Sequence, residues 1–394
     1  MGEAENSNND ASLGVEPIQP RPGSGQASHR TAFLRYAKIS FRILALIVVV
    51  LGVWQSIRTS TSELAKQQVE LGERADQLVR SAESKPPDEA ALLLDRARAM
   101  RLEASRFWQA DPSMLCLASL FYACGMLPAC LFWRRCLVEL DQVHHLLDTC
   151  WAYFYGALGK YFPGKAMVIV LRVDSLQNHG VQKTTTAMTI FMETLTNMAV
   201  GGAVAAASLI WLDLDYRLSL LAVGLLVATA IPVSPPVLRF LLPKLQRGVP
   251  AAIVSSWKQR ISWGLFLRGW LMLSVGWLLN GFGLMFVLQS LPSSQVAGSD
   301  GWTLYASATG ACALAVVAGF LSLLPGGAGV REVVLSVVLS PVVGPVAALC
   351  AALWMRLVWI GTELLVVLVL LVPRTLGMTY QPAVAVGTEQ GTRV

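Results

Sequence analysis

The chain carries few charged residues. Only 14% of its 394 residues are Asp, Glu, Lys or Arg, whereas 54% are hydrophobic. Soluble domains carry about 25% charged residues, so this composition excludes an ordinary soluble protein. Apolar runs of about 20 residues recur instead, and this length crosses the hydrocarbon core of a bilayer. The sequence therefore predicts an all-α fold, a polytopic integral membrane helical bundle.

The sequence also lacks the motifs of common metal sites and catalytic sites. Its seven cysteines lie in or beside apolar runs and form no Cys-x-x-Cys pair, which favours buried free thiols over a disulfide framework or a zinc site. His144 and His145 are adjacent, so on a helix their side chains point about 100° apart, which disfavours a metal site shared by the two. No Gly-x-Ser-x-Gly, P-loop or His-Glu-x-x-His pattern occurs. We expect no metal, no cofactor and no enzymatic activity.

The net charge of +6 is carried largely by loops rather than by a soluble domain. Residues 234–260 hold five basic residues and no acid, which is typical of a cytoplasmic loop. The sequence has no basic cluster within a soluble domain. We therefore expect anionic membrane lipids, and not a nucleic acid, to contact the basic residues.

Changes in composition predict five segments. These are a disordered cytoplasmic tail (1–30), a first transmembrane anchor with a basic flank (31–57), a polar helical hairpin on the non-cytoplasmic side (58–112), a transmembrane domain (113–373) and a flexible C-terminal tail (374–394). Pro86-Pro87 divides the hairpin, and each half has helical apolar spacing. The hairpin is either a solvated spacer or a coiled coil that supports a homo-oligomer.

About seven or eight transmembrane helices are expected. The predicted full spans are 43–54, 114–133, 187–212, 218–233, 261–288, 302–324 and 346–372. Residues 140–176 are too interrupted for one span and read as two half-helices of a re-entrant element. Residues 332–339 read as a short helix that is stopped by Pro341 and Pro345.

Two Pro-Gly breaks stand out, because they fall where the sequence is otherwise apolar enough to lie in lipid. They are Tyr161-Phe162-Pro163-Gly164-Lys165, followed by Arg172, and Leu324-Pro325-Gly326-Gly327-Ala328-Gly329-Val330-Arg331-Glu332. Open backbone at membrane depth is tolerated only where protein or a water-filled cavity covers it. Matching broken helices in two halves of a chain, an arrangement like an inverted repeat, are typical of a transporter binding site.

The start of a half-helix after such a break favours anions, because its first N–H groups are unpaired and carry partial positive charge. Lys165 and Arg331 strengthen that charge. The alternative is that the breaks are tight turns at the membrane surface, with both bases reaching the headgroups.

Three further charged residues in apolar runs are candidates for the same site. Glu193 either pairs with a basic residue of a break, or takes up a proton, or accepts hydrogen bonds that hold helices together. Arg356 and Glu363 lie seven residues apart on one helix face, so we expect both to face one cavity. Arg268 lies near a span end and reads as a residue that reaches the interface.

At the two breaks the sequence resembles the flippase-like family that contains the transmembrane region of lysylphosphatidylglycerol synthase. That family carries a Tyr-x-Pro-Gly-Lys/Arg element followed by Arg, and a later Pro-Gly-Gly-x-Gly-x-Arg-Glu element. The matching residues here are Tyr161, Pro163, Gly164, Lys165, Arg172, Pro325, Gly326, Gly327, Gly329, Val330, Arg331 and Glu332, with Arg356 in the last span. The resemblance covers roughly 113–372. It departs at Thr194 and Asn197, where the family often has charged residues.

The resemblance implies a stand-alone flippase-like domain without a soluble aminoacyl-transferase domain. We expect a translocator of an anionic phospholipid or a lipid-linked headgroup in a cell membrane, a bacterial inner membrane. The alternative is a non-catalytic partner that presents a lipid or polyprenyl-linked substrate to a separate transferase. The expected substrate-binding residues are Tyr161, Pro163, Gly164, Lys165, Arg172, Glu193, Pro325, Gly326, Gly327, Gly329, Arg331, Glu332, Arg356 and Glu363.

Overall fold

The computed structural model describes residues 69–375 except 71, 106–108, 143–144, 162–165, 177–180, 213–215, 246–249, 294–295 and 297. The predicted N-terminal tail, first anchor and residues 376–394 lie outside the described residues. The same holds for four residues of the first break, which are Phe162, Pro163, Gly164 and Lys165.

The described residues are helical and contain no β-strand, as the apolar runs predicted. In chain order the helices are α1 (72–82), α2 (Pro87–Ser105), α3 (Pro112–Glu139), α4 (Leu146–Ala157), α5 (Ala166–Leu176), α6 (Lys183–Trp211), α7 (Tyr216–Val233), α8 (Pro235–Leu245), α9 (Ala251–Arg260), α10 (Trp263–Gln289), α11 (Gly301–Leu321), α12 (Val330–Val343) and α13 (Pro345–Thr375). Two short 3₁₀ segments, Leu158–Tyr161 and Pro325–Gly327, lie at the two breaks.

Seven segments of the described chain are long and apolar enough to cross a membrane. They are α3, α6, α7, α10, α11, α12 together with the 3₁₀ segment before it, and α13 up to Pro373. The expected polytopic helical membrane fold is therefore confirmed. The segment before these spans contains α1 and α2, which are joined at Pro86 and linked by an ion pair between Asp76 and Arg101.

The predicted short helix 332–339 is wrong in its length. Helix α12 continues through Pro341 to Val343 and is capped by Gly344, whose φ of 82° lies in the left-handed region. Proline removes one backbone donor, and membrane helices tolerate it because neighbouring groups satisfy the freed carbonyl. A glycine in the left-handed conformation is the more effective stop. Pro345 then starts α13, where its missing N–H has no cost.

Helix α11 forms the centre of the bundle and packs against α6, α10 and α12. It is the most buried of the spans. Around it, α3 and α10 approach closely at Gly125 and Gly276, where a Cβ atom on Gly276 would lie 2.7 Å from the Gly125 carbonyl oxygen. Small residues allow such close contact between membrane helices. The second break directly follows the C-terminal end of α11.

Candidate functional site

The first break lies within a hairpin of two short helices. Helices α4 and α5 contain 12 and 11 residues and pack against each other. At 1.5 Å per residue each is about half as long as the roughly 30 Å hydrocarbon core. The hairpin therefore matches the re-entrant element predicted for 140–176. Of the predicted site residues here, Tyr161 and Arg172 are described.

The second break lies between α11 and α12. Gly326 and Gly327 have φ values of 60° and 69°, which an L side chain adopts only with strain. Gly329 caps α12 with a φ of 81°, so α12 begins directly at Val330. The backbone conformation therefore favours glycine at these positions. The chain turns sharply here, so that α12 starts directly beside the break.

The two breaks contact each other. A Cβ atom on Gly326 would lie 3.1 Å from the Tyr161 ring. Both breaks line one cavity of about 510 Å³, to which the first contributes Lys160 and Arg172 and the second contributes Gly327 and Arg331. Gly326 and Gly327 are buried. The described parts of the two breaks therefore form one site rather than two separate turns.

Arg172 and Glu193 form a buried ion pair beside this cavity. They are 4% and 2% exposed, and Arg172 Nη1 lies 2.9 Å from Glu193 Oε2. The Arg172 guanidinium also lies over the rings of Trp133 and Tyr153, 4.9 Å and 4.1 Å from their centroids. Thr194 donates a further hydrogen bond to Glu193. Two of the roles considered for Glu193 are therefore observed. It pairs with a basic residue that follows the first break, and it accepts hydrogen bonds from neighbouring side chains.

Glu363 is the centre of a second buried cluster. It is 1% exposed and accepts hydrogen bonds from the Tyr122 hydroxyl, the Lys160 ammonium and the Tyr161 hydroxyl. Sequence reasoning missed Tyr122 and Lys160. A signal for Lys160 was present, because it directly precedes the Tyr161 of the first break. The cluster joins the re-entrant hairpin to α13.

Arg356 and Glu363 do not share one cavity, and this expectation is wrong. Arg356 forms an ion pair with Glu332 at the start of α12, whereas Glu363 binds Lys160. Neither residue lines the cavity. Their spacing does place them on one helix face, but each is neutralised by a different neighbouring element. Arg356 thus links α13 to the second break, and Glu363 links α13 to the re-entrant hairpin.

Arg331 differs from the other cations of the cavity. No carboxylate of the described residues lies within ion-pair distance of it. The guanidinium lies 5.2 Å from the centroid of the Trp359 ring. Lys160 and Arg172 are neutralised by Glu363 and Glu193. Arg331 is thus the cavity's uncompensated positive charge within the described part of the chain, a suitable anchor for a phosphate or carboxylate.

Comparison with known proteins agrees with this geometry. The sequence model of the family described as "Lysylphosphatidylglycerol synthase TM region" matches residues 91–378. The match begins within α2, earlier than the motifs at the two breaks indicate. No curated protein matches the chain. Because the family match covers more than half of the chain and includes both breaks and all seven spans, this chain belongs to the family of the lysylphosphatidylglycerol synthase TM region.

Proposed function

We propose that this membrane protein moves an anionic phospholipid, or a lipid with an anionic linked headgroup, between the leaflets of a bacterial cell membrane. The observation that carries the proposal is the cavity between the two breaks, whose wall contains Arg331 with no carboxylate of the described residues in ion-pair distance. A phosphodiester would gain charge-assisted hydrogen bonds from the guanidinium. The first N–H groups of α12 add favourable partial charge next to it.

The rim of the cavity supports a lipid rather than a water-soluble anion. Ile169, Phe191 and Leu323 line the cavity and are 38%, 42% and 69% exposed. Large apolar side chains that are exposed on a membrane protein face the acyl chains. A headgroup near Arg331 would therefore leave its tails between α5, α6 and the second break, still in hydrocarbon.

The ion pairs of the re-entrant hairpin suggest how the cavity opens and closes. Arg172 holds the hairpin to α6 through Glu193, and Lys160 holds it to α13 through Glu363. An entering phosphate competes with Glu363 for Lys160, which lines the cavity. Weakening that pair releases the hairpin from α13. We propose that this exchange, and no covalent chemistry, accompanies headgroup movement.

Reconstitution of the purified chain tests the proposal. Vesicles containing headgroup-labelled anionic phospholipid are compared for the wild type, Arg331→Ala and Arg268→Ala. Arg268 is an exposed residue of α10 outside the cavity, so it is a matched control for the loss of one arginine. We expect transbilayer movement with the wild type and Arg268→Ala, and at least about a tenfold loss with Arg331→Ala. Equal movement by all three proteins would contradict the proposal.

The same experiment separates a translocator from a partner that presents lipid to a transferase. The purified chain alone should move lipid if it is a translocator. A presenting partner, when purified alone, should bind the lipid but should not move it across the bilayer.

A further inference from the structure

Helix α8 has an unusual composition for a helix in a loop between two membrane spans. Apart from Arg239 and Lys244, all of its residues are apolar. Helices α8 and α9 together connect the spans α7 and α10, so both lie on one side of the membrane. The loop 234–260 contains five basic residues and no acid, which favours the cytoplasmic side.

The outward face of α8 is apolar. Phe240 is 63% exposed, and Pro236 and Pro243 are exposed beside it. The opposite face already packs on the protein through the buried Leu238. Both faces of the helix are thus apolar, whereas a helix that faces water exposes polar residues. An exposed apolar face that follows the end of a membrane span fits the boundary between acyl chains and headgroups.

Helix α9 has a different character, although it belongs to the same loop. Its exposed residues include Ser255, Gln259 and Arg260. Its buried residues include Val254 and Trp257, which pack against the rest of the chain. This is the ordinary pattern of a helix that has one face in water. The apolar outward face is therefore a property of α8 and not of the whole loop.

Lys244 provides the charge that an anionic lipid would meet on the outward face of α8. Its ammonium lies 4.0 Å from the centroid of the Phe240 ring, one helical turn away, so the two side chains form one surface. Among the residues that the structure describes, no carboxylate lies within ion-pair distance of Lys244. An exposed ammonium beside an apolar ring complements a lipid that has an anionic headgroup.

Helices α8 and α9 also contact the turn that precedes the re-entrant hairpin. Trp257 and Arg260 donate hydrogen bonds to the carboxylate of Asp141, which lies between α3 and α4. Arg239 Nε donates to the carbonyl oxygen of Ile261 at 2.8 Å, which fixes α8 to the end of α9. The loop thus joins the outward face of α8 to the turn before the hairpin.

We infer that α8 lies in the plane of the membrane surface and binds anionic phospholipids of the cytoplasmic leaflet. Phe240 enters the boundary of the acyl chains, and Lys244 binds the headgroup phosphate. No described residue of α8 lines the cavity between the breaks. This lipid-binding surface is therefore separate from the cavity, and it does not depend on Arg331 or on lipid movement.

Hydrogen–deuterium exchange of the full-length protein in nanodiscs tests the inference. Nanodiscs of phosphatidylcholine alone are compared with nanodiscs that also contain phosphatidylglycerol. Because a bound lipid stabilises the folded helix, we expect the backbone amides of α8 to exchange about tenfold more slowly in the anionic nanodiscs. Lys244→Glu should remove this difference. Phe240→Ser should speed the exchange of α8 in both kinds of nanodisc, because the apolar contact is lost.

Two further variants complete the design. Lys183→Glu is the same substitution at the exposed start of α6, outside the loop, and should leave the response of α8 to anionic lipid unchanged. Arg331→Ala alters the cavity and should also leave this response unchanged.

Equal exchange of α8 in both kinds of nanodisc would overturn the inference, as would a full response in Lys244→Glu. A response that disappears in Arg331→Ala would show that lipid in the cavity causes it, and would overturn the assignment of a separate surface. None of these outcomes decides whether the protein moves lipid, so the inference and the proposed function are tested independently.

Discussion

Arg331 lies directly across Gly319, so closely that a Cβ atom on Gly319 would come within 2.7 Å of Arg331 Cγ. The same relationship occurs at the first break, where a Cβ atom on Gly156 would lie 2.3 Å from Arg172 Cγ. Each arginine follows a break in the chain, and each crosses a glycine on the helix that precedes the break. In both halves of the site, a glycine on the preceding helix therefore leaves room for the stem of the arginine side chain.

Gly319→Ala should displace Arg331 without unfolding the protein. The added methyl group would lie 2.7 Å from Arg331 Cγ and 2.9 Å from its Nε atom, so the arginine side chain must move, whereas alanine favours a helix by about 1 kcal/mol over glycine. We expect binding of anionic lipid to fall about tenfold while the unfolding temperature changes little. Gly224→Ala on α7 is the control, because nothing lies within 4 Å of its Cβ position. Normal lipid binding by Gly319→Ala would show that the glycine does not position Arg331.

The ion pair between Lys160 and the buried Glu363 should stabilise the re-entrant hairpin. Glu363→Gln leaves the Lys160 charge without its partner. Losing one member of a fully buried pair costs about 3 to 5 kcal/mol, and we expect a smaller loss here because the Lys160 side chain is 22% exposed. Combining Glu363→Gln with Lys160→Met removes both charges and should restore most of that loss. Unfolding in detergent measures the free energy of each variant and of the pair. Additive effects in this double-mutant cycle would mean that the two residues do not interact.

Asp141 predicts a pH dependence outside the membrane spans. The hydrogen bond from Arg260, and then that from Trp257, hold the pKa of the Asp141 carboxyl below its usual value of 3.8. A carboxyl with a lowered pKa in the folded state stabilises the protein above its unfolded pKa, and this contribution disappears as the pH falls through the folded pKa. Asp141→Asn should therefore lower the unfolding temperature at pH 7 but not near pH 2.

Asparagine is a suitable replacement at this position because Asp141 has a φ of 57°, a conformation that asparagine tolerates. A difference between Asp141→Asn and wild type that is the same at both pH values would refute the ionic origin of the effect.

The pairing of α3 with the re-entrant hairpin predicts a specific cross-link. Cys130 of α3 and Cys150 of α4 have their Sγ atoms 3.7 Å apart. Mild oxidation with copper phenanthroline should join these two thiols before any other pair, and peptide mass spectrometry after alkylation of the remaining thiols detects the product. Cys130→Ser should abolish it. A disulfide between other cysteines, with Cys130 and Cys150 still free, would place the hairpin elsewhere.

Local sequence signals predict the spans and the breaks well, because lipid imposes length and apolarity on each helix separately. Helices α3, α6 and α10 contain or overlap the predicted spans 114–133, 187–212 and 261–288. The expected stop at Pro341 fails because a proline in a membrane helix does not end it. The glycine at 344, in the left-handed conformation, has a stronger local effect.

Partners of buried charges could not be predicted in the same way. Lys160 and Glu363 lie 203 residues apart, and only the folded bundle brings them together. Helix spacing correctly places Arg356 and Glu363 on one face, but spacing within a helix does not determine which neighbour each side chain meets.

The position of a bound phosphate shows whether Arg331 is the anion anchor of the cavity. A cryo-EM or crystal structure of the full-length protein with excess phosphatidylglycerol would locate it. We predict that the phosphate lies within hydrogen-bond distance of the Arg331 guanidinium, between the 3₁₀ segments Leu158–Tyr161 and Pro325–Gly327. A phosphate bound elsewhere, with acyl chains alone filling the cavity between the breaks, would overturn the assignment of Arg331 as the phosphate anchor.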